Sequence, residues 1–105
     1  MRTLNSLAAA LAVGKTTSRQ LVEDCLARIA DPGGEGARTF IKLDAAAARA
    51  SADAMDTLRR AGRAPGPFAG IPFSIKDLAD IAGQPTPAGS KVLASAPPAA
   101  ANAPV

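Results

Sequence analysis

Gly66-Pro67-Phe68-Ala69-Gly70-Ile71-Pro72-Phe73-Ser74-Ile75-Lys76-Asp77 is the stretch that decides the fold of this chain. Ala64-Pro65-Gly66-Pro67 reads as a loop, since Pro and Gly punctuate regular structure. From Ile71 the pattern changes to strict alternation. Ile71, Phe73 and Ile75 share one face, and Pro72, Ser74 and Lys76 share the other, which predicts a strand over about 71–76. Pro72 lacks a ladder donor, so it belongs at the start or the edge of that strand. A turn-rich stretch with Pro85, Pro87 and Gly89 follows, and from about 94 to 105 the chain is nearly all Ala, Pro and Ser. That tail reads as a loop or as a loose polyproline-like segment. One strand cannot make a sheet, so its partners must come from further chain or another molecule.

Upstream of this stretch the periodicity is helical. Leu4, Leu7, Ala8 and Leu11 fall at i, i+3, i+4 and i+7, predicting a helix over about 3–13 with Gly14 as its stop. Thr17 with Gln20 forms a capping-box pattern that opens a helix over about 18–30, ended by Asp31-Pro32-Gly33-Gly34. Its expected apolar face is Leu21, Val22, Cys25, Leu26 and Ile29, which places Cys25 in the interior. Arg38 to Leu43 reads as a short extended piece. Asp44 is a good N-cap for a third helix over about 45–61, with Gly62 as its stop. On this helix Ala47, Ala50, Ala54 and Leu58 form a stripe suited to close packing, and Arg49, Asp53, Asp56 and Arg59 are expected to face solvent.

Composition narrows the function classes. The chain has 105 residues, 48% of them hydrophobic but only 3% aromatic, so apolar burial per residue is small. A net charge of +3 raises nucleic-acid binding, yet the basic residues are scattered, Arg59, Arg60 and Arg63 being the tightest group. No aromatic platform accompanies them, so nucleic acid is not an expected partner. One cysteine permits no intrachain disulfide, and the absence of histidine removes Cys/His zinc sites and a Cys–His nucleophile. No metal or cofactor is expected. Neither a signal-peptide pattern nor an apolar run of about 20 residues is present, so the expected location is cytoplasmic and no membrane partner is expected.

Gly14-Lys15-Thr16 imitates the end of a phosphate-binding loop. The full pattern, G-x-x-x-x-G-K-S/T between a strand and a helix, fails because Ala9 stands where the first glycine belongs and a helix precedes it.

The block from Gly66 to Asp77, with Gly83 and Thr86-Pro87-Ala88-Gly89-Ser90 behind it, resembles the first block of the amidase-signature family. That family commonly reads G-P-L-x-G-I-P-x-x-V/I-K-D, then a spacer with a glycine, then T-x-x-G-S. Phe68 in place of leucine is a conservative departure. Upstream, Thr17-Ser18, Leu21-Val22 and Leu26-Ala27-Arg28-Ile29 look like the family's early helix, so the resemblance covers essentially the whole chain. It implies an α/β fold, a mixed sheet covered by helices, of which residues 1–105 supply the N-terminal helices and first strand. It also implies an amidase acting on a small-molecule carboxylic amide through a Ser–Ser–Lys triad, with Lys76 as the catalytic lysine and a homodimer as one arrangement of the complete enzyme. The family's two serines lie in a downstream Gly/Ser-rich block, and this chain is expected to end before them and to be inactive alone.

The chemistry sets a demand on Lys76. A free lysine titrates near ~10.4, so a lysine that serves as a base near neutrality must be destabilised as a cation by roughly 4 kcal/mol. Desolvation or neighbouring positive charge can do this. Asp77 reads as a structural partner for a cation or a turn, while Thr86 and Ser90 shape the cleft in the family without an assigned step. Two alternatives stand beside the amidase: a short non-catalytic protein that keeps the amidase N-terminal fold, and the N-terminal part of the A subunit of a glutamine amidotransferase.

Overall fold

The computed structural model describes residues 2–105. The chain divides after Pro72 into two compact units. The first unit is helical: α1 (Leu4–Ala12), α2 (Ser18–Ala30), α3 (Gly36–Thr39) and α4 (Ala45–Arg60). Each long helix has an identifiable start. Thr3 Oγ1 accepts from the Ser6 N–H and Ser6 Oγ accepts from the Thr3 N–H, a full capping box on α1. Thr17 Oγ1 accepts from Gln20 N–H at 3.1 Å, but the Gln20 side chain turns to Asp24, so only half of the expected box forms on α2. Asp44 Oδ1 accepts from Ala47 N–H at 2.9 Å on α4. Helices α1 and α4 end alike. Lys15 N–H reaches Ala10 C=O with Gly14 N–H on Leu11 C=O, and Arg63 N–H reaches Leu58 C=O with Gly62 N–H on Arg59 C=O, the bond pairs of a Schellman stop.

Helix α2 packs against α4 and α3. The buried apolar side chains are Leu11, Leu21, Val22 and Ala52, a small interior that follows from alanine doing most of the apolar filling. Three expectations are corrected in this unit. Helix α4 presents Ala45, Ala48, Ala52, Met55 and Asp56 inward, at i, i+3, i+7, i+10 and i+11. Ala47, Ala50 and Ala54 are exposed, and Arg49 and Arg59 are half-buried rather than solvent-facing. With alanines at nearly every position of its first half, this helix leaves the sequence pattern unable to choose a face. The choice is made by Asp56, which bonds across to α2. Second, Cys25 is exposed: α2 buries Leu21 and Val22, and its apolar stripe is narrower than the one the sequence suggests. Third, the extended piece expected at Arg38–Leu43 begins instead as the short helix α3, leaving Ile41 and Leu43 exposed.

The second unit, from Phe73 onward, holds a 3-10 turn (Leu93–Ser95) and a single isolated parallel bridge between Ala82 and Ala99. The strand expected at 71–76 does not form, and no sheet exists among the described residues. Of the α/β expectation the described residues show the helices and not the sheet. The segment has no neighbouring ladder to pair with, and an unpaired strand is not stable alone. The Ala/Pro tail, expected as loose, is tied back by backbone bonds. Gly83 N–H donates to Ala99 C=O at 2.8 Å, Ala99 N–H to Gln84 C=O at 2.9 Å and Ala103 N–H to Asp80 C=O at 2.8 Å. Asn102 Oδ1 adds a bond from Ala82 N–H.

Candidate active-site segment

The first turn of a helix leaves its N–H groups without partners, and at α2 they lie against α4, where water is scarce. Asp56 of α4 answers this. Its Oδ1 accepts from Ser18 N–H at 2.7 Å and its Oδ2 from Arg19 N–H at 2.9 Å, beside the Thr17 bond to Gln20. Both Asp56 and Ser18 are buried, at 8% and 2% exposure, and a carboxylate at a helix N-terminus also meets the positive end of the helix dipole. No buried side-chain polar atom is left unsatisfied among the described residues.

This cap extends to the motif segment. Ser18 Oγ donates to Gly70 C=O at 2.5 Å, and Arg59 of α4 donates to Ala69 C=O at 2.8 Å. The turn before Ile71 is thus held at two successive carbonyls. Gly70 has φ +89°, in the region that L side chains rarely adopt. A Cβ there would lie 2.9 Å from both Cβ and Oγ of Ser18 and 3.3 Å from Cβ of Met55. Backbone conformation and close approach therefore both require glycine at this position of the block.

An ion network crosses α2 and α4 beside the clamp. Glu23 accepts from Arg49 Nε at 2.7 Å and from Arg19 Nε at 2.8 Å, and Arg19 reaches Asp53 at 2.6 Å. The hydrogen bonds from Arg49, then from Arg19, hold the Glu23 carboxyl well below its ordinary range, at about 2. Arg49 and Arg19 are correspondingly held above the usual arginine value by their bonds to Glu23. The pairs are half-exposed, which limits what each adds to stability.

In the second unit Lys76 is exposed, flanked by exposed Phe73, Ser74 and Ile75. Its side chain lines an open recess with Leu78, Ala103 and Val105, and its ammonium makes no hydrogen bond among the described residues. Burial, which the base role demands, is absent in this segment. The residues behind Lys76 brace one another. Asp77 Oδ2 accepts from Gly89 N–H at 3.2 Å, joining the Lys-Asp pair to the Thr86–Ser90 turn. Thr86 Oγ1 donates to Asp80 at 2.6 Å, and Ser90 Oγ accepts from Leu93 N–H at 3.4 Å. So Asp77 holds a turn rather than a cation, and neither Thr86 nor Ser90 is bonded to Lys76. No group of three or more His, Cys, Asp or Glu suited to a metal exists among the described residues, and no helix is long and apolar enough to cross a membrane.

The sequence pattern placed Asp56 and Arg59 toward solvent and gave no sign that they and Ser18 form this cap. The unpartnered donors at Ser18 and Arg19 were foreseeable. Which distant carboxylate meets them depends on how α4 turns about its axis, and an alanine-rich helix does not declare that.

A family model described as Amidase matches residues 20–104. The chain is 46% identical over 92 residues to the A subunit of glutamyl-tRNA(Gln) amidotransferase of Chloroflexus aurantiacus, covering 88% of this chain and 19% of that protein. It is 41% identical over 93 residues to the AtzE subunit of 1-carboxybiuret hydrolase of Pseudomonas sp., covering 89% and 20%. It is 42% identical over 91 residues to mandelamide hydrolase of Pseudomonas putida, covering 87% and 18%. A solved structure, described as an unexpected vestigial protein complex that reveals the evolutionary origins of an s-triazine catabolic enzyme, matches with a TM-score of 0.85 at 36% identity, over 96% of this chain and 22% of that one. The chain thus spans about a fifth of the length of the curated relatives it matches.

Proposed function

The chain belongs to the amidase family, and from that membership we propose that it forms the N-terminal portion of an enzyme that hydrolyses a carboxylic amide through a Ser–Ser–Lys triad, with Lys76 as the base. The observation that carries this reading is the position of Lys76 in the Gly66–Asp77 block, inside the family match over residues 20–104. In the proposed chemistry neutral Lys76 accepts a proton passed through one serine from the nucleophilic serine. The nucleophile adds to the amide carbonyl, the C–N bond breaks, and ammonia or an amine leaves with the returned proton. Water then attacks the acyl ester by the same proton route and frees the acid. Both serines belong to the family's downstream Gly/Ser-rich block, which the complete enzyme supplies. The substrate is a small-molecule amide, the complete enzyme is cytoplasmic, and a homodimer is its proposed assembly.

A second reading is favoured by the 46% identity to the A subunit of glutamyl-tRNA(Gln) amidotransferase: the same base chemistry acting on glutamine inside a larger complex. One experiment separates the two. The complete reading frame that carries this segment is expressed and assayed for ammonia release from small aliphatic amides, aryl amides and glutamine. Turnover of a small amide supports the amidase, and turnover of glutamine alone supports the amidotransferase. No hydrolysis of any of them, by a folded protein, overturns both.

A further inference from the structure

The first part of the motif block, from Gly66 to Pro72, has no task in the proposed chemistry, and it belongs to the helical unit. This stretch is shaped in advance. Ala69 N–H donates to Gly66 C=O and Ile71 N–H to Phe68 C=O, both at 3.2 Å, so two overlapping turns fold it on itself. Pro65, Pro67 and Pro72 each fix one backbone angle, which lowers the entropy lost when the stretch is ordered. Two helices then take its carbonyls. Arg59 of α4 donates to Ala69 C=O at 2.8 Å, and Ser18 Oγ of α2 donates to Gly70 C=O at 2.5 Å. Gly70 supplies the positive φ and the missing Cβ that allow the turn so close to Ser18.

Ser18 is the joint between this grip and the helix cap. Its N–H donates to Asp56 Oδ1 at 2.7 Å while its hydroxyl holds the turn. At 2% exposure, neither bond is readily exchanged for one to water. Asp56 and Arg59 lie one turn apart on α4, so the bonds close a ring: Asp56 to Ser18, Ser18 to Gly70, and Ala69 back to Arg59. We infer that residues 66–72 are a strap that locks the start of α2 onto the last turns of α4, so that strap and helix cap open and close together. Every member of the ring lies in the helical unit, and the lock is independent of Lys76 and of its role as the base. Without Arg59 at Ala69 the turn hangs on one bond, Ser18 Oγ loses its fixed acceptor, and the first-turn donors of α2 open to water more often.

The test is amide hydrogen exchange, read peptide by peptide on the complete protein that carries this segment, for wild type, Arg59→Met, Arg59→Lys and Ser18→Ala. Arg59→Met is decisive, because among the described residues Arg59 bonds to the strap and not to α2. Methionine also keeps the helix propensity and an apolar stem. The expected result is exchange about tenfold or more faster at residues 18–21, far along the chain from the substitution, while α1 and the first half of α4 keep wild-type rates. Arg59→Lys, which keeps a charged donor, should return most of the protection. Ser18→Ala, which removes the hydroxyl and leaves the backbone cap, should speed exchange at residues 69–71 as well as at the start of α2. Faster exchange confined to the strap in Arg59→Met, with residues 18–21 at the wild-type rate, overturns the inference. An equal rise over every amide of α1, α2 and α4 overturns it too, since that marks a loss of overall stability and not a lock between two elements. Should Arg59→Met fail to fold, Ser18→Ala decides alone, and unchanged exchange at residues 69–71 is then the contradicting result.

Discussion

At the scale of single residues, the chain's most constrained feature is one carboxylate and one glycine. Asp56 satisfies two backbone donors that nothing else in the first unit reaches, so Asp56→Ala leaves Ser18 and Arg19 N–H groups buried and unpaired. The expected cost is about 3 kcal/mol, since hydrogen bonds to a charged group are among the stronger ones and the orphaned donors carry their own desolvation penalty. In a small domain that amount empties much of the folded state, so the helical circular dichroism of the chain at room temperature should fall sharply. A helical signal equal to wild type would contradict the cap. Gly70→Ala should destabilise by at least about 1–2 kcal/mol from backbone conformation alone. The contact with Ser18 adds to that, and a lowered urea midpoint is the measurement. The block that contains Lys76 and Gly70 was legible in the sequence because its spacing is one that few other sequences share. Asp56 was not, because a lone aspartate late in an amphipathic helix looks like a solvated one until its partner helix is in place.

At the scale of elements, the pairing of α2 with α4 depends on charge as well as on Ala52, Leu21 and Val22. Glu23 is held ionised by Arg49 and Arg19, so its carboxyl titrates at about 2 against an ordinary value of 4.5. A carboxyl whose pKa is depressed on folding contributes stability that is complete above its unfolded value and disappears as pH falls toward its folded value. The stability advantage of wild type over Glu23→Gln should therefore be constant above pH about 4.5 and shrink to nothing by about 2, read from urea midpoints across that window. An advantage that persists unchanged at the acid end would contradict the network, as would one absent at neutral pH in low salt. The helix ends were legible from caps and stops: Thr17, Asp44, Gly14 and Gly62 each sit where the bonds are found. The strand at 71–76 was a sound reading of alternation, but alternation specifies only a tendency. A ladder needs a neighbour, and without one Phe73 through Lys76 remains unpaired.

At the scale of the whole molecule, the balance between buried and exposed apolar surface governs behaviour. Leu11, Leu21, Val22 and Ala52 are the buried apolar residues, whereas Phe73 is 84% exposed, Val92 83% and Ile41 76%. Each of the two units thus leaves apolar side chains open to solvent, where an apolar probe can reach them. The chain of 105 residues should accordingly bind a hydrophobic dye in its native buffer, unfold over a broad temperature range, and hydrolyse no amide by itself. A sharp, high-melting transition without dye binding would contradict this, and so would amide turnover by the purified chain. Family membership was legible across nearly the full length, since the motif block and the early helix declare themselves by residue type and spacing. The exposure of Lys76 was not legible, because it depends on what packs against the segment and not on the segment itself. The most direct measurement is therefore kcat/KM of the complete enzyme with Lys76 and with Lys76→Ala, both verified as folded by circular dichroism. The expected result is a loss of roughly 10²–10⁴-fold with the fold retained, the range for removal of a positioned general base; a folded Lys76→Ala enzyme turning over at the wild-type rate would contradict it.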